Sequence, residues 1–140
     1  MTTDKLLDAW KRWIQRSTAL PVAMRDTEDT KAYPGVYIEG DSVSRFESGG
    51  VQDSNIFKIE WETKLVTTPG DDAQQATSKA AHDALRNALA EYVESDQAEA
   101  WMDGQIGIRV FQILANSPET TEADGYRVTT WKVMAICCEI

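Results

Sequence analysis

Ile56-Phe57-Lys58-Ile59-Glu60-Trp61-Glu62-Thr63-Lys64-Leu65 is the stretch that decides the fold. Phe57, Ile59, Trp61, Thr63 and Leu65 alternate with Lys58, Glu60, Glu62 and Lys64. Successive strand side chains point to opposite faces, so this alternation spells a strand buried on one face only. Its charged face is either solvated or lines the interior of an assembly, and the strand alone does not choose.

Downstream, Thr67-Thr68-Pro69-Gly70-Asp71-Asp72 breaks the strand and starts a helix, with acidic residues where the helix dipole favours them. From Ala73 to Val93 the residues Ala76, Ala80, Ala81, Ala84, Leu85, Ala88, Leu89, Tyr92 and Val93 keep a stripe at three-and-four spacing. Small residues let a helix approach a sheet closely, which predicts this helix across Phe57, Ile59 and Trp61. Glu94 to Met102 reads as a further helical turn anchored by Trp101, and Asp103-Gly104 as a turn. Ile106 to Leu114 is apolar on both sides, the pattern of a central strand covered on both faces. Ala115 to Gly125 reads as a long, acidic connection, and Tyr126 to Ile140 as a last strand whose two apolar faces imply double-sided burial.

Upstream, Leu6, Trp10, Trp13 and Ile14 give an amphipathic helix over residues 3–16, which Pro21 stops from continuing. Two tryptophans on one short helix must dock on their own sheet or on a neighbouring subunit, because each buried aromatic contributes on the order of 2–3 kcal/mol. Arg25 to Tyr33 is polar and aperiodic, a loop. Short strands are expected at Val36 to Glu39 and Val43 to Phe46, separated by a Gly40-Asp41-Ser42 turn, with Ser48-Gly49-Gly50 as a hairpin tip. The expected class is α+β: a mixed or antiparallel sheet packed by one long helix, with an N-terminal helix and a β-hairpin. Residues 1–140 form one domain, with the α/β body over 33–140.

Bulk properties agree with one core: 140 residues, 42% hydrophobic and 26% charged. A formal charge of -9 disfavours a nonspecific grip on nucleic acid, which needs clustered Lys and Arg, while also serving solubility. No apolar run is long enough to span a bilayer and no export signal opens the chain, so an unexported protein is expected. Cys137 and Cys138 are strand neighbours pointing to opposite faces, poorly placed to bridge each other.

The single histidine, His82, lies mid-helix beside the apolar stripe and has no sequence-evident orienting partner for a general base. One His with adjacent cysteines makes no zinc-type ligand cluster. Ser48-Gly49-Gly50 and Gly104-Gln105-Ile106-Gly107 lack phosphate-loop spacing, and no Gly-x-Ser-x-Gly elbow occurs. Most of the five tryptophans fall on inward-facing periodic positions, which favours core or interface over base stacking. No enzyme and no cofactor are expected.

The order helix, hairpin, strand, long helix, strand, acidic loop, strand resembles the small tail-terminator or tail-completion proteins of long-tailed bacteriophages. The likeness covers roughly Val36 to Ile140 and rests on the strand Ile56 to Glu62, the helix around Ala80-Ala81-His82-Asp83-Ala84-Leu85, and the closing strands about Ser117-Pro118-Glu119-Thr120. It implies a non-enzymatic structural virion protein of the tail or neck, assembled in the host cytoplasm. Such proteins form a ring, usually a hexamer, that caps the tail tube, ends its polymerisation and joins the head connector. The implied partners are other copies, the tail tube protein and connector or stopper proteins, with DNA passing the lumen without sequence-specific contact and no membrane. Acidic lumen walls would reduce sticking.

A closed ring needs two different complementary surfaces per subunit. The Gly40 to Gly50 hairpin, carrying Asp41, Arg45 and Glu47, and the Ala115 to Gly125 loop, carrying Glu119, Glu122 and Asp124, are expected to project and make these contacts. Trp10 and Trp13 are expected at the ring's outer side or on a neighbour. The alternatives are a head-tail adaptor, stopper or other neck protein, and a ferredoxin-like small-ligand binder with a pocket between helix and sheet. A generic oligomeric interaction protein is a third.

Overall fold

The computed structural model describes residues 2–24, 34–48, 51–68, 72–94, 108–123 and 125–139. In chain order they form α1 (Thr2–Thr18), β1 (Val22–Met24), β2 (Gly35–Ser48), β3 (Val51–Thr67), α2 (Asp72–Glu94), β4 (Ile108–Ala115), β5 (Glu119–Ala123) and β6 (Tyr126–Glu139). One six-stranded sheet runs β1-β2-β3-β6-β4, with β5 also on β6. Only the β1–β2 pair is parallel, so the sheet is mixed and the fold is α+β.

The spine is β3 against β6, paired without a register shift from Ile56↔Cys138 to Thr67↔Arg127. That unbroken register keeps two alternating stripes side by side: Ile59, Trp61, Thr63 and Leu65 on β3, and Thr129, Trp131, Val133, Ala135 and Cys137 on β6, all buried. Both helices lie over this face. Leu6, Trp10 and Ile14 of α1 and Leu85 and Leu89 of α2 are buried in the same core.

Trp10 is the key that fixes α1. Its indole sits edge-on to Trp61, with ring centroids 5.3 Å apart at 75°. Its Nε1–H donates to the Thr63 hydroxyl at 3.0 Å in a fully buried contact across 53 residues of sequence. Burying both rings supplies apolar area, and the hydrogen bond removes the penalty of a stranded indole donor. At the helix end the Thr18 hydroxyl donates to the Ile14 carbonyl at 2.6 Å, and Ala19 turns left-handed at φ 55. The chain then enters β1, where the Val36 amide donates to the Pro21 carbonyl at 2.8 Å.

Several sequence expectations change. Trp61, at the centre of the buried face, meets Trp10 of α1, while α2 packs against α1, β4 and β3 and brings His82 to 5.6 Å from the Trp131 ring. Gly40-Asp41-Ser42 is no turn: β2 is one strand with a bulge there, between Glu39↔Glu62 and Ser42↔Glu60. Gly40 takes φ 72, a conformation a glycine adopts without steric cost, so one extra residue is absorbed and pairing continues. Ala115 to Gly125 is no projecting loop. Glu119–Ala123 is a strand, Ala123↔Tyr126 closes a two-residue hairpin, and Gly125 has φ 80. The physical reasons are the Asp124-Gly125 turn signal and the Thr120–Thr129 hydroxyl contact at 3.2 Å across the pair. β4 is an edge strand, not a central one, and β6 is buried on one face only. The readings of Arg25 to Tyr33, of Glu94 to Met102 with Trp101, and of the tip at Gly49-Gly50 lie outside the described residues.

Thr63→Val is nearly isosteric yet strands the Trp10 donor, so it should cost about 1–3 kcal/mol. Trp61→Ala should cost about 3–5 kcal/mol through the cavity it leaves. Urea unfolding followed by tryptophan fluorescence checks both, and equal stability of Thr63→Val and the parent would remove the hydrogen bond from the account.

Candidate assembly surface

The strand alternation that fills the core leaves a second face on which neither α1 nor α2 packs. Its β3 positions are Lys58, Glu60, Glu62 and Lys64, and its β6 positions are Val128, Thr130, Lys132, Met134, Ile136 and Cys138. Register then divides this face. Toward β2 it is an ionic ladder: Lys64 pairs with both Glu39 and Glu62, and Lys58 lies 3.3 Å from Glu60. Toward β4 an apolar row runs along β6 through Met134, Ile136 and Cys138, with Leu114 beside Met134 and Gln112 and Arg109 at the next register positions of β4. Leu114 is 43% exposed on this side, and Phe111, at the β4 bulge, is 48% exposed.

The ladder is internally neutralised, with Glu39, Glu60 and Glu62 against Lys58, Lys64 and Lys132. Half-exposed pairs of this kind contribute on the order of 0–1 kcal/mol each, so their role is to fix side-chain positions more than to hold the fold. The chain's excess acidity therefore does not come from this face, and an acidic lumen wall is not what the charged side of β3 provides.

The borders of the sheet complete the surface. β4 and β5 lie end to end along β6, separated by Asn116-Ser117-Pro118, with the Asn116 amide donating to the Lys132 carbonyl at 2.9 Å. Pro118, which has no N–H for a ladder, falls in the break. Among the described strands β4 and β5 are outermost on this side, and a sheet border is the kind of template a further strand can pair with. At the other end of the sheet β6 stops pairing at Ile56, while β2 and β3 continue to Ser48↔Val51. A two-stranded ribbon of about 17 Å thus extends past the third strand, at about 3.3 Å per residue.

The sequence-predicted contact residues scatter over this geometry. Trp10 is 0% exposed in its own subunit and leaves no surface for a neighbour while α1 is docked. Trp13 is partly buried against the same core. Asp41 falls in the β2 bulge, Arg45 opposite Phe57 and Glu47 opposite Gln52, so the last of these is in the ribbon. Glu119 and Glu122 are exposed on β5, and Asp124 lies outside the described residues. Leu114, Met134, Ile136 and Cys138 were missed as surface residues. Their signal was present as the second apolar face of the last two strands, which read as burial instead.

Among the described residues no helix is long and apolar enough to cross a membrane, and no group of three or more His, Cys, Asp or Glu is placed to hold a metal ion. Neither a protein-family model nor a curated protein matches the sequence. Among solved structures, a chain from the virion of a native gene transfer agent particle is similar at 13% identity and a TM-score of 0.55, over 89% of this chain and 84% of that one. That likeness is one of fold. A second solved chain is 21% identical over 100% of this chain and 97% of its own, at a TM-score of 0.47, too low to support an argument.

The Arg127 Nε and Nη2 groups both donate to Glu122 Oε1, at 3.2 and 3.0 Å, across the β5–β6 hairpin. Glu122→Lys places like charges opposite each other and should cost about 0.2–1 kcal/mol, whereas the swap Glu122→Arg with Arg127→Glu should recover most of it. Chemical denaturation of the two variants checks this, and an equal loss in both would mean the pair is not what orients the hairpin.

Proposed function

We propose that this protein is a structural subunit of a phage-like particle that closes into a ring on the tail tube, ends its polymerisation and meets the head connector. The observation that carries the reading is the sheet face that neither helix covers, with an apolar row on β6 and ion pairs on its other half. A fold shared with a chain of a gene transfer agent virion supports it.

In this reading the apolar half, Leu114 with Met134, Ile136 and Cys138, is the buried centre of a contact with a second copy, and the β4–β5 edge borders it. Interface centres are depleted in charge and rimmed by polar groups, which matches the division of this face. The β2–β3 ribbon, with Glu47 in it, supplies the different, second surface that head-to-tail closure needs, and Arg45 and Asp41 lie on β2 leading up to it. Glu119 and Glu122 lie on β5, and Trp13 lies on the docked α1. DNA passes the lumen without sequence-specific contact.

Negative-stain images of particles assembled without the protein test the role. Tails of abnormal length are expected. Tails of normal length that lack heads would identify an adaptor or stopper instead, and normal, headed tails would contradict both. Leu114→Asp with Ile136→Asp should leave the circular dichroism spectrum unchanged and abolish ring formation on tubes.

A further inference from the structure

The helix layer does not seal the sheet along its whole length. α2 buries Ala81, Leu85, Ala88 and Leu89, but Gln75, Ala76, Thr77, Lys79 and Ala80 in its first half are exposed, so the helix lifts away from the sheet toward its start. A cleft of about 730 Å3 lies beneath, bounded by this half of α2, the end of β3 and the β5–β6 hairpin. Its volume is that of a small-molecule site.

The lining is unlike the rest of the chain. In a protein with 23 acidic and 14 basic residues, Lys79, His82 and Arg127 line the cleft, and among the described residues no Asp or Glu does. The hydroxyls of Thr67, Thr120 and Thr129 lie between them, with Thr67 and Thr129 buried and Thr120 held against Thr129 at 3.2 Å. Arg127 engages Glu122 through Nε and Nη2 on one side of its fork, which leaves the Nη1 donors uncommitted to that pair. Lys79 forms no ion pair among the described residues. Cationic donors and hydroxyls both favour negative charge on a guest.

We propose that this cleft is a binding site for a small organic dicarboxylate, with Lys79 and Arg127 pairing its two ends and the threonine hydroxyls bonding the carboxylate oxygens. Two cations on opposite walls, one on α2 and one on β6, call for a guest with two anionic groups rather than one. The site is on the helix side of the sheet, so it is separate from the proposed assembly face and stands or falls independently of it.

Amide NMR titration of the full chain with sodium succinate at constant ionic strength tests this. Saturable shifts confined to residues 75–82, 120 and 127–129 are expected, with affinity falling about tenfold in Lys79→Gln and again in Arg127→Gln, the loss of a charge-assisted bond in each. Both side chains are substantially exposed, and an otherwise unchanged amide spectrum reports that the variants fold. Shifts reproduced by sodium chloride, no saturation, or equal affinity in the double variant would overturn the site. Binding of inorganic phosphate with no binding of succinate would overturn the dicarboxylate assignment.

Discussion

The hydrogen bond from the Trp10 indole to the Thr63 hydroxyl, under the edge-on contact of Trp10 with Trp61, is the constraint on which the rest of the molecule hangs. Thr63 is a polar residue at 0% exposure in the middle of the sheet, tolerable because its hydroxyl accepts this donor. The contact sets where α1 lies: α1 packs on β1 and β2 and reaches Trp61 and Thr63 of β3, while α2 packs against β4 and β3. Both helices are thereby committed to one face. The other face is left without cover as a consequence of the same arrangement.

That division explains how one alternating strand serves two ends. Every odd position of β3 from Ile59 to Thr67 is buried, and the even positions between them carry charge up to Val66. The neighbouring β6 repeats the burial with less charge: beyond Lys132 its open side presents Met134, Ile136 and Cys138. A face with paired ions at one side and methionine, isoleucine and leucine at the other can be soluble as a monomer and still offer an apolar centre to another copy. The ionic half keeps the patch bounded, which limits nonspecific association.

Much of this was legible in the residues. The β3 alternation gave the strand and its buried face, and the three-and-four stripe gave α2 nearly to its ends. Leu6, Trp10 and Ile14 gave α1 as an amphipathic helix, but whether Trp10 met its own sheet or a neighbour could be decided only by its partner 53 residues away. The edge position of β4 was hidden because apolarity on both sides of a strand does not distinguish double burial from an exposed patch. Pro118 and the acidic residues around it made Ala115 to Gly125 look like a loop, although Asp124-Gly125 is a hairpin signal and Thr120 and Thr121 suit a strand. The cleft had no local signature at all, since Lys79, Arg127 and the threonines come from three separate elements.

Chemical modification of Cys138 tests most directly whether the uncovered face is the assembly face. Cys137 is buried on the helix side and Cys138 is partly exposed on the open side, so two adjacent thiols report opposite faces of one strand. With N-ethylmaleimide and mass spectrometry, the free chain should be modified at Cys138 and spared at Cys137. In assembled particles Cys138 should also be spared, and modification there at the rate of the free chain would contradict the account.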